Sequence, residues 1–458
     1  MRQARVKERR EDILSGNIIK TMFALTWPVM IGNVLSTVYN LADTFWLGKL
    51  GEDAVAIPTV SWPIVFLFLS LSMGLATAGI SLVSQHMGKG TYELANKAAG
   101  QVLSLLLLTS VVISVVGYLG AHWVLETIVG TPQAILPVAT SYLQLTFFGI
   151  PFMFTFMASR FIFRGIGDMR TSLFLRVISI GVDGILNPFL IFGIGPFPAW
   201  GVIGAGVTNL LGRGIASLIS VYLLFSQRSG INLSLSDLKL EISWTKQIFK
   251  IGGPASIARS GSALAFIVLT SFVAAFGISS LSAYAIGRRM TQIANIGIWG
   301  FASSVSTMIG QNIGKGNTKR AETIVKKALL VSGAIMFSIA SLLFLIRSEL
   351  IRIFINDAGV IQEGSTYIGI FVFSLPFFGF FRIISSAYSG SGHTKPSMAL
   401  SLGRLWAFRL GLSYLLGFLL EFGSNGIWWG MSLSNLITAL LSYPWFLTGN
   451  WKERTVSH

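Results

Sequence analysis

The sequence predicts an all-α integral membrane protein with twelve transmembrane helices in two pseudo-symmetric six-helix bundles. Three observations predict it: a composition too apolar for a water-exposed surface, a series of long apolar runs, and an internal repeat. Of the 458 residues, 53% are hydrophobic and only 11% charged, whereas ordinary soluble domains carry roughly 25% charge. A run of about 20 apolar residues is long enough to span a bilayer. Such runs lie roughly at 19–47, 55–85, 96–121, 134–162, 170–193, 201–225, 245–275, 281–310, 324–346, 366–390, 397–420 and 427–449. Several are longer than a bilayer requires, which predicts tilt or cytoplasmic overhang. Only helices and closed barrels satisfy their backbone polar groups in lipid. These runs are too long and unbroken for barrel strands.

The connecting segments set the orientation. The N-terminal tail holds Arg2, Arg5, Lys7, Arg9, Arg10 and Lys20. The even-numbered loops carry Lys89 and Lys97; Arg164 and Arg170; Arg228, Lys239, Lys246 and Lys250; Lys315, Lys319, Arg320, Lys326 and Lys327; and Lys395. The C-terminus adds Lys452 and Arg454, while the odd loops offer only Lys49, Arg347 and Arg352. The positive-inside rule then places both termini in the cytoplasm of a multi-pass cell-membrane protein, and that requires an even number of spans. The net charge of +16 is accounted for by these loops, so no nucleic-acid partner is expected. There is no cysteine, which excludes disulfides, thiol chemistry and cysteine metal sites. The N-terminal MRQARVKERREDILSGN lacks the short apolar core and small-residue cleavage site of a signal peptide. The first span is expected to stay in the mature protein.

The repeat has an offset of about 225 residues. Trp27-Pro28 matches Gly253-Pro254, and His86-Met87-Gly88-Lys89-Gly90 matches Asn312-Ile313-Gly314-Lys315-Gly316. Pro151 matches Pro376, Arg164-Gly165-Ile166-Gly167-Asp168 matches Ser389-Gly390-Ser391-Gly392-His393, and Gly201 and Asn209 match Gly426 and Asn435. Any one match is weak, but five in order indicate a duplication. Six spans per copy is even, so both copies face the same way, as in transporters built from parallel repeats with a substrate path between them near the midplane. The expected division is an N-lobe over 1–225, a polar and basic cytoplasmic linker over 226–243, and a C-lobe over 244–458.

Ionisable residues at membrane depth are costly and mark function by default. Asp43 lies late in the first span, one turn from Tyr39; Asp183 lies mid-way along the fifth, one turn from Asn187. Residues four apart share a helix face. Pro188 frees a carbonyl one turn earlier, near Gly184. Carboxylates with Tyr39, Asn187 and carbonyls could carry a proton or hold Na⁺ through hard oxygen ligands. The residues do not decide between these ions, and no other metal or cofactor is expected. The repeat serves as a control: the second-half counterparts of Asp43 and Asp183 fall near Leu269 and Phe408, so symmetry did not require the acids. The alternative is a structural carboxylate that caps a helix or holds an arginine, or, for Asp43, one hydrated near the outer interface.

Arg213 and Arg409 stand mid-span, where they face a cavity or pair with an acid, and they argue against a purely cationic substrate. Arg160, Arg259, Arg288, Arg289, Arg382 and Arg404 lie nearer helix ends, where long side chains reach back to headgroups. No G-x-x-x-x-G-K-[ST] loop occurs, so ATP hydrolysis is not expected. His86, His122, His393 and His458 are scattered near loops and read as solvated. No Ser/His/Asp arrangement supports hydrolysis, and the chain is not expected to be an enzyme. Small pairs such as Gly74 and Ala78 suit close helix packing. Trp123, Trp200, Trp428 and Trp429 read as outer-interface residues, and Trp244 and Trp451 as inner ones. Trp62, Phe66, Phe148 and Phe152 pack in lipid or core, or line an apolar cavity.

At Tyr39-Asn40-Leu41-Ala42-Asp43-Thr44, Arg164-Gly165-Ile166-Gly167-Asp168 and Asn187-Pro188, the chain resembles the multidrug and toxic compound extrusion (MATE) transporters, over nearly its full length. The resemblance implies a V-shaped two-lobe fold and alternating access, with an H⁺ or Na⁺ gradient driving export of bulky organic compounds. It is nearest the branch whose coupling site is in the N-terminal lobe, where the first-helix aspartate matches Asp43 and the fifth-helix pair matches Asp183 and Asn187. That branch's archaeal members carry Asn first and Asp before the proline; here the order is reversed. Their sixth-helix threonine falls at Asn209, with Thr208 adjacent. A seventh-helix glutamate of another branch falls at Ser262, so its second-lobe cation site is expected to be absent. Pro28 matches a first-helix proline proposed as a hinge.

The expected function is therefore ion-coupled multidrug efflux by a monomer acting on a small amphipathic organic substrate in contact with membrane lipid. Asp43, Asp183, Asn187, Tyr39, Asn209 and Thr208 would form the coupling site. The alternative is a flippase for a lipid or lipid-linked precursor, with Arg213 and Arg409 attracting its headgroup. A channel or receptor is a more distant possibility.

Overall fold

Long helices joined by tight turns account for nearly all of the chain. The computed structural model describes residues 2–226 and 230–455, with side chains from Lys7 onward. Arg228, His458 and the side chains of Arg2 and Arg5 lie outside the described residues. The first half contains α1 (Arg2–Leu14), α2 (Ile18–Gly48), α3 (Glu52–Lys89), α4 (Tyr92–Trp123), α5 (Leu136–Ile166), α6 (Met169–Phe192) and α7 (Gly201–Phe225). The second contains α8 (Ile242–Ala274), α9 (Ile278–Lys315), α10 (Thr318–Leu345), α11 (Arg347–Arg352), α12 (Ala358–Phe371), α13 (Leu375–Ser391), α14 (Thr394–Leu402), α15 (Gly411–Tyr414) and α16 (Gly423–Leu447).

Ten helical stretches among the described residues are long and apolar enough to cross a membrane. The run through α14 and α15, together with α16, supplies the two further spans of the twelve. That run is broken by two π-helical segments, Gly403–Leu410 and Leu415–Leu419. Large apolar side chains face outward in number, as a lipid-facing surface requires: Leu119 is 77% exposed and Leu330 75%.

The repeated loop motifs are repeated helix ends. Gly90 and Gly316 close α3 and α9 in the left-handed conformation, with φ of 86° and 89°. Glycine adopts that conformation without the Cβ penalty, and its N–H satisfies carbonyls that the helix end leaves open. Arginines from the two ends of the chain complete the caps. Arg10 donates to the Met87 and Gly88 carbonyls at 2.7 and 2.9 Å, and Arg454 donates to the Ile313 carbonyl at 3.3 Å. Each places a positive charge at the negative end of a helix.

Packing divides the chain into two compact units. One comprises Met1–Glu11 with Trp27–Ser256, the other Asp12–Thr26 with Ile257–His458. Three helices therefore pass from one unit to the other within their length, α1 at Glu11/Asp12, α2 at Thr26/Trp27 and α8 at Ser256/Ile257. In the second unit the Thr26 hydroxyl donates to Ser304 Oγ at 3.1 Å; in the first the Ser256 hydroxyl donates to the Leu71 carbonyl at 2.9 Å. A proline without a helical N–H sits within two residues of the α2 and α8 crossings, Pro28 and Pro254. Residues 230–241 dock on α4 of the first unit. There Gln101 donates to the Asp237 and Lys239 carbonyls, and Lys97 pairs with Glu241 at 2.8 Å.

Four readings of the sequence need correction. His86 is buried in the last turn of α3 rather than solvated, with Nδ1 3.0 Å from Thr91 Oγ1. Trp428 is fully buried among Tyr284 and Tyr367 instead of marking an interface. Trp244 and Trp451 are buried too, and Trp451 donates to the Phe446 carbonyl at 3.1 Å. Arg404 does not reach toward headgroups; it is 7% exposed and bonded to Asn435. Each of these side chains has a polar or aromatic partner inside its own unit, which outweighs the pull of the interface.

Candidate functional site

Three helices of the first unit bring the six predicted coupling residues together. Tyr39 and Asp43 lie one turn apart on α2, and Asp183 and Asn187 one turn apart on α6. Thr208 and Asn209 lie side by side on α7. α6 and α7 approach closely because Gly204 and Gly212 carry no side chain. A Cβ on Gly204 would stand 2.4 Å from the Leu190 carbonyl oxygen, and one on Gly212 would stand 2.5 Å from that of Ser179 and 3.1 Å from the Asp183 Cβ. The ring of Tyr39 lies against Gly184, one residue beyond Asp183.

The hydrogen bonds run across the helices. Asn187 Nδ2 donates to Asp43 Oδ1 at 2.7 Å. Thr208 Oγ1 donates to Asn187 Oδ1 at 3.3 Å. Asn209 Nδ2 donates to the Tyr39 hydroxyl oxygen at 3.1 Å. Asp183 is 4% exposed, Asn187 1% and Thr208 fully buried. Asp183 Oδ1 is buried with no hydrogen-bond partner among the described residues. An unsatisfied buried carboxylate oxygen is expensive, so this atom is poised to accept a proton or ligate a cation.

Arg213, one turn beyond Asn209 on α7, lies within electrostatic reach of both carboxylates. Its Nη1 is 2.9 Å from Met153 Sδ. Tyr142 of α5 also lies within electrostatic reach of the two acids and of Arg213. The sequence reading did not single it out, because Thr140, Ser141, Gln144 and Thr146 stand beside it in the same span and nothing distinguishes its hydroxyl from theirs. Pro28 lies apart from this cluster, where α2 passes between units. Arg409 belongs to the other unit.

Comparisons with known proteins agree on the family. The MatE family model matches residues 28–189 and again 254–415. The chain is 26% identical to the probable multidrug resistance protein YpnP of Bacillus subtilis, covering 96% of this chain and 97% of that protein. It is 26% identical to the FAD transporter of Shewanella oneidensis, covering 95% of each. It is 25% identical to the probable multidrug resistance protein NorM of Thermotoga maritima, covering 96% of this chain and 94% of that one. Crystal structures of a MATE in the straight and in the bent conformation superpose with a TM-score of 0.89 at 23% identity, covering 96% of this chain and 97% of each of those.

The two matched segments begin at 28 and 254 and end at 189 and 415, a separation of 226 at both ends. At that spacing Asp183 falls on Arg409, and Thr208 and Asn209 on Ser434 and Asn435, whereas at the spacing of 225 between Gly201 and Gly426 Asp183 falls on Phe408. The contacts agree: Thr208 lies beside Asp183, and Arg409 Nε donates to Ser434 Oγ at 3.1 Å. The helix-capping residues Asp168 and His393 are one residue closer together than this. With both halves of the chain matched by the same model and the fold shared with solved members, this multi-pass membrane protein belongs to the MatE family.

Proposed function

We propose that this chain is a secondary active antiporter, exporting small amphipathic organic compounds as H⁺ or Na⁺ enters, by alternating access. The names of its relatives support organic-compound export, since several are multidrug resistance proteins. The observation that carries the coupling reading is the buried cluster of Asp43, Asp183, Asn187, Tyr39, Thr208 and Asn209, with an open oxygen on Asp183.

The charges of the cluster suggest its capacity. Two carboxylates face one guanidinium, which stays protonated in proteins. One negative charge is left over when both acids are ionised. One proton or one Na⁺ neutralises it, and a site in a low-dielectric surround favours neutrality. For Na⁺, the carboxylates, the Asn187 amide oxygen and the hydroxyls of Tyr39 and Thr208 provide hard oxygen ligands. For H⁺, Asp183 Oδ1 is the natural acceptor.

Movement follows from where Asp43 is anchored. It sits near the far end of α2, the helix that changes unit beside Pro28. Loading the site alters what Asn187 offers to Asp43, and α2 bends or straightens at Pro28 in response. That the fold has been crystallised with bent and straight forms supports this reading. The protein acts as a monomer in the cell membrane with both termini cytoplasmic, and it needs no cofactor or catalytic residue.

The test is substrate export from proteoliposomes with pH and Na⁺ gradients imposed separately. Asp43→Asn and Asp183→Asn should each lose gradient-driven export. Full export in both variants refutes the coupling assignment.

A further inference from the structure

The second unit contains the charge-reversed counterpart of the first unit's acidic cluster. At the spacing of 226 residues between the two matched segments, Asp183 falls on Arg409, and Thr208 and Asn209 fall on Ser434 and Asn435. Arg409 is 4% exposed and Arg404 7%. Both donate to one oxygen, Asn435 Oδ1, at 3.0 and 3.1 Å. Arg409 also donates to Ser434 Oγ and, at 3.4 Å, to the Met431 carbonyl.

Local backbone geometry makes this meeting possible. Residues five apart on an α-helix point about 140° away from each other at 3.6 residues per turn. Arg404 and Arg409 lie within the π-helical segment Gly403–Leu410. There each turn closes i→i+5, so residues five apart stack on one side. π turns recur at functional sites.

The surroundings supply donors and aromatic faces but no balancing carboxylate. Among the described residues no ion pair involves Arg404 or Arg409. The charged group nearest in effect to Arg404, after Arg409, is another arginine, Arg382. Glu363 is engaged by Ser280 and by the Trp428 indole, each at 3.2 Å. Two buried donors have no partner among the described residues, Arg404 Nε and the Tyr284 hydroxyl, and the Tyr367 hydroxyl lies beside Thr291. Both tyrosines lie within electrostatic reach of Arg409. Two buried guanidiniums cannot shed their protons, and a buried charge without a counter-charge is strongly destabilising.

We propose that the Arg404–Arg409 pair, with the Tyr284 and Tyr367 hydroxyls, binds a single anionic group in the second unit: a halide, or a carboxylate or phosphate oxygen. The family's two lobes would then be divided by charge in this chain, with cation or proton in one and anion in the other. The anionic group could be a free ion, a lipid headgroup or the acidic part of a carried compound. The chemistry of recognition is the same for all three, because guanidinium pairs bind such groups through charge-assisted hydrogen bonds.

The experiment is thermal unfolding of the full-length protein in nanodiscs, after exchange into gluconate. Chloride, then inorganic phosphate, is titrated at constant ionic strength in neutral phosphatidylcholine discs, and the series is repeated with phosphatidylglycerol. Wild type, Arg409→Gln, the double variant Arg404→Met/Arg409→Met, and the exposed-surface control Arg352→Gln are compared. Wild type and control should gain stability saturably with anion, as binding to the folded state requires, and the arginine variants should need about tenfold more or lose the response. In gluconate without anionic lipid, the double variant should be no less stable than wild type, because it lacks the uncompensated charges. A response in neutral discs indicates a free ion, and a response only with phosphatidylglycerol indicates a headgroup; both uphold the site. A wild type indifferent to every anion and to anionic lipid overturns it, as do arginine variants that respond like wild type. Each of these outcomes is independent of whether Asp43 and Asp183 couple to a gradient.

Discussion

Asn187 donates its side-chain amide to Asp43 at 2.7 Å, although the two lie 144 residues apart in the chain. The same amide accepts from Thr208, so Asn187 joins α2, α6 and α7 by one planar group. Replacing it with leucine keeps the volume and removes both bonds. A hydrogen bond to a charged group contributes about 1.5–3 kcal/mol, so Asn187→Leu should lower gradient-driven export by about tenfold or more. The reading is initial rate in proteoliposomes at a fixed gradient, with folding checked by gel filtration. An unchanged rate means that the Asn187 bridge has no part in coupling.

The closeness of α6 and α7 gives a second expectation. A methyl group on Gly212 would meet the Ser179 carbonyl oxygen at 2.5 Å, well inside van der Waals contact, and backbone cannot turn aside as a flexible side chain can. Overpacking of this kind costs about 1–3 kcal/mol. Gly212→Ala should therefore push α7 from α6, separate Thr208 from Asn187, and lower both melting temperature and export. Gly253→Ala, where a Cβ meets nothing within 4 Å, is the control: it should leave export unchanged and raise the melting temperature slightly, since alanine favours a helix over glycine by about 0.5–1 kcal/mol. Equal behaviour of the two variants would sink the argument.

Some of this was legible from sequence, for identifiable reasons. Acids are rare at membrane depth, so Asp43 and Asp183 stand out, and four-residue spacing brings Tyr39 and Asn187 with them. The repeat exposed the paired caps because Gly90 and Gly316 both need a positive φ. The Arg404–Arg409 meeting was not legible, because five-residue spacing reads as two faces of an α-helix and only the π turns reunite them. The burial of His86 was missed because a Gly-Lys-Gly sequence reads as loop, whereas α3 continues through Lys89.

The passage of α2 and α8 between units makes their prolines testable as a pair. If Pro28 acts as a hinge, Pro28→Ala restores a backbone N–H and stiffens α2. It should raise thermal stability by restoring a helical hydrogen bond, worth about 1 kcal/mol, and slow export. Pro254→Ala stiffens α8 at the corresponding point, but α8 carries no acid of the coupling cluster. Its expected effect is on stability alone. Distances between spin labels in α2, with and without an imposed gradient, report the bending directly. Gradient-dependent distances that persist in Pro28→Ala, with an undiminished export rate, would remove the hinge from the mechanism.

Arg454 and Gly316 offer a prediction outside the membrane interior. A Cβ on Gly316 would lie 2.9 Å from the Arg454 guanidinium, and its φ of +89° is unfavourable for other residues. Left-handed backbone costs an L-residue about 1–2 kcal/mol, and displacing Arg454 removes a charge-assisted cap from α9. Gly316→Ala should therefore destabilise more than Arg454→Ala alone. The double variant should fall short of the sum of the two, since they act on one cap. Thermal unfolding of the three variants decides this; strict additivity would show that the guanidinium and the glycine work separately.

The last prediction turns on the charge of the first unit's cluster. Asp43 and Asp183 share the field of Arg213, which leaves one negative charge for the proposed coupling ion to neutralise. Arg213→Gln keeps a polar side chain of similar reach and removes the positive charge. The ionised cluster then carries two negative charges instead of one. Neutralising it should take two monovalent cations, so the number of H⁺ or Na⁺ bound per protein should rise from about one toward two. Proton release or radiolabelled Na⁺ binding on purified protein gives that number without any transport step. The triple variant Asp43→Asn/Asp183→Asn/Arg213→Gln should bind none, which separates these acids from other carboxylates. A count that stays at one in Arg213→Gln would mean that Arg213 does not set the charge of the site. The acids would then have to divide their roles, with one permanently protonated and the other carrying the ion.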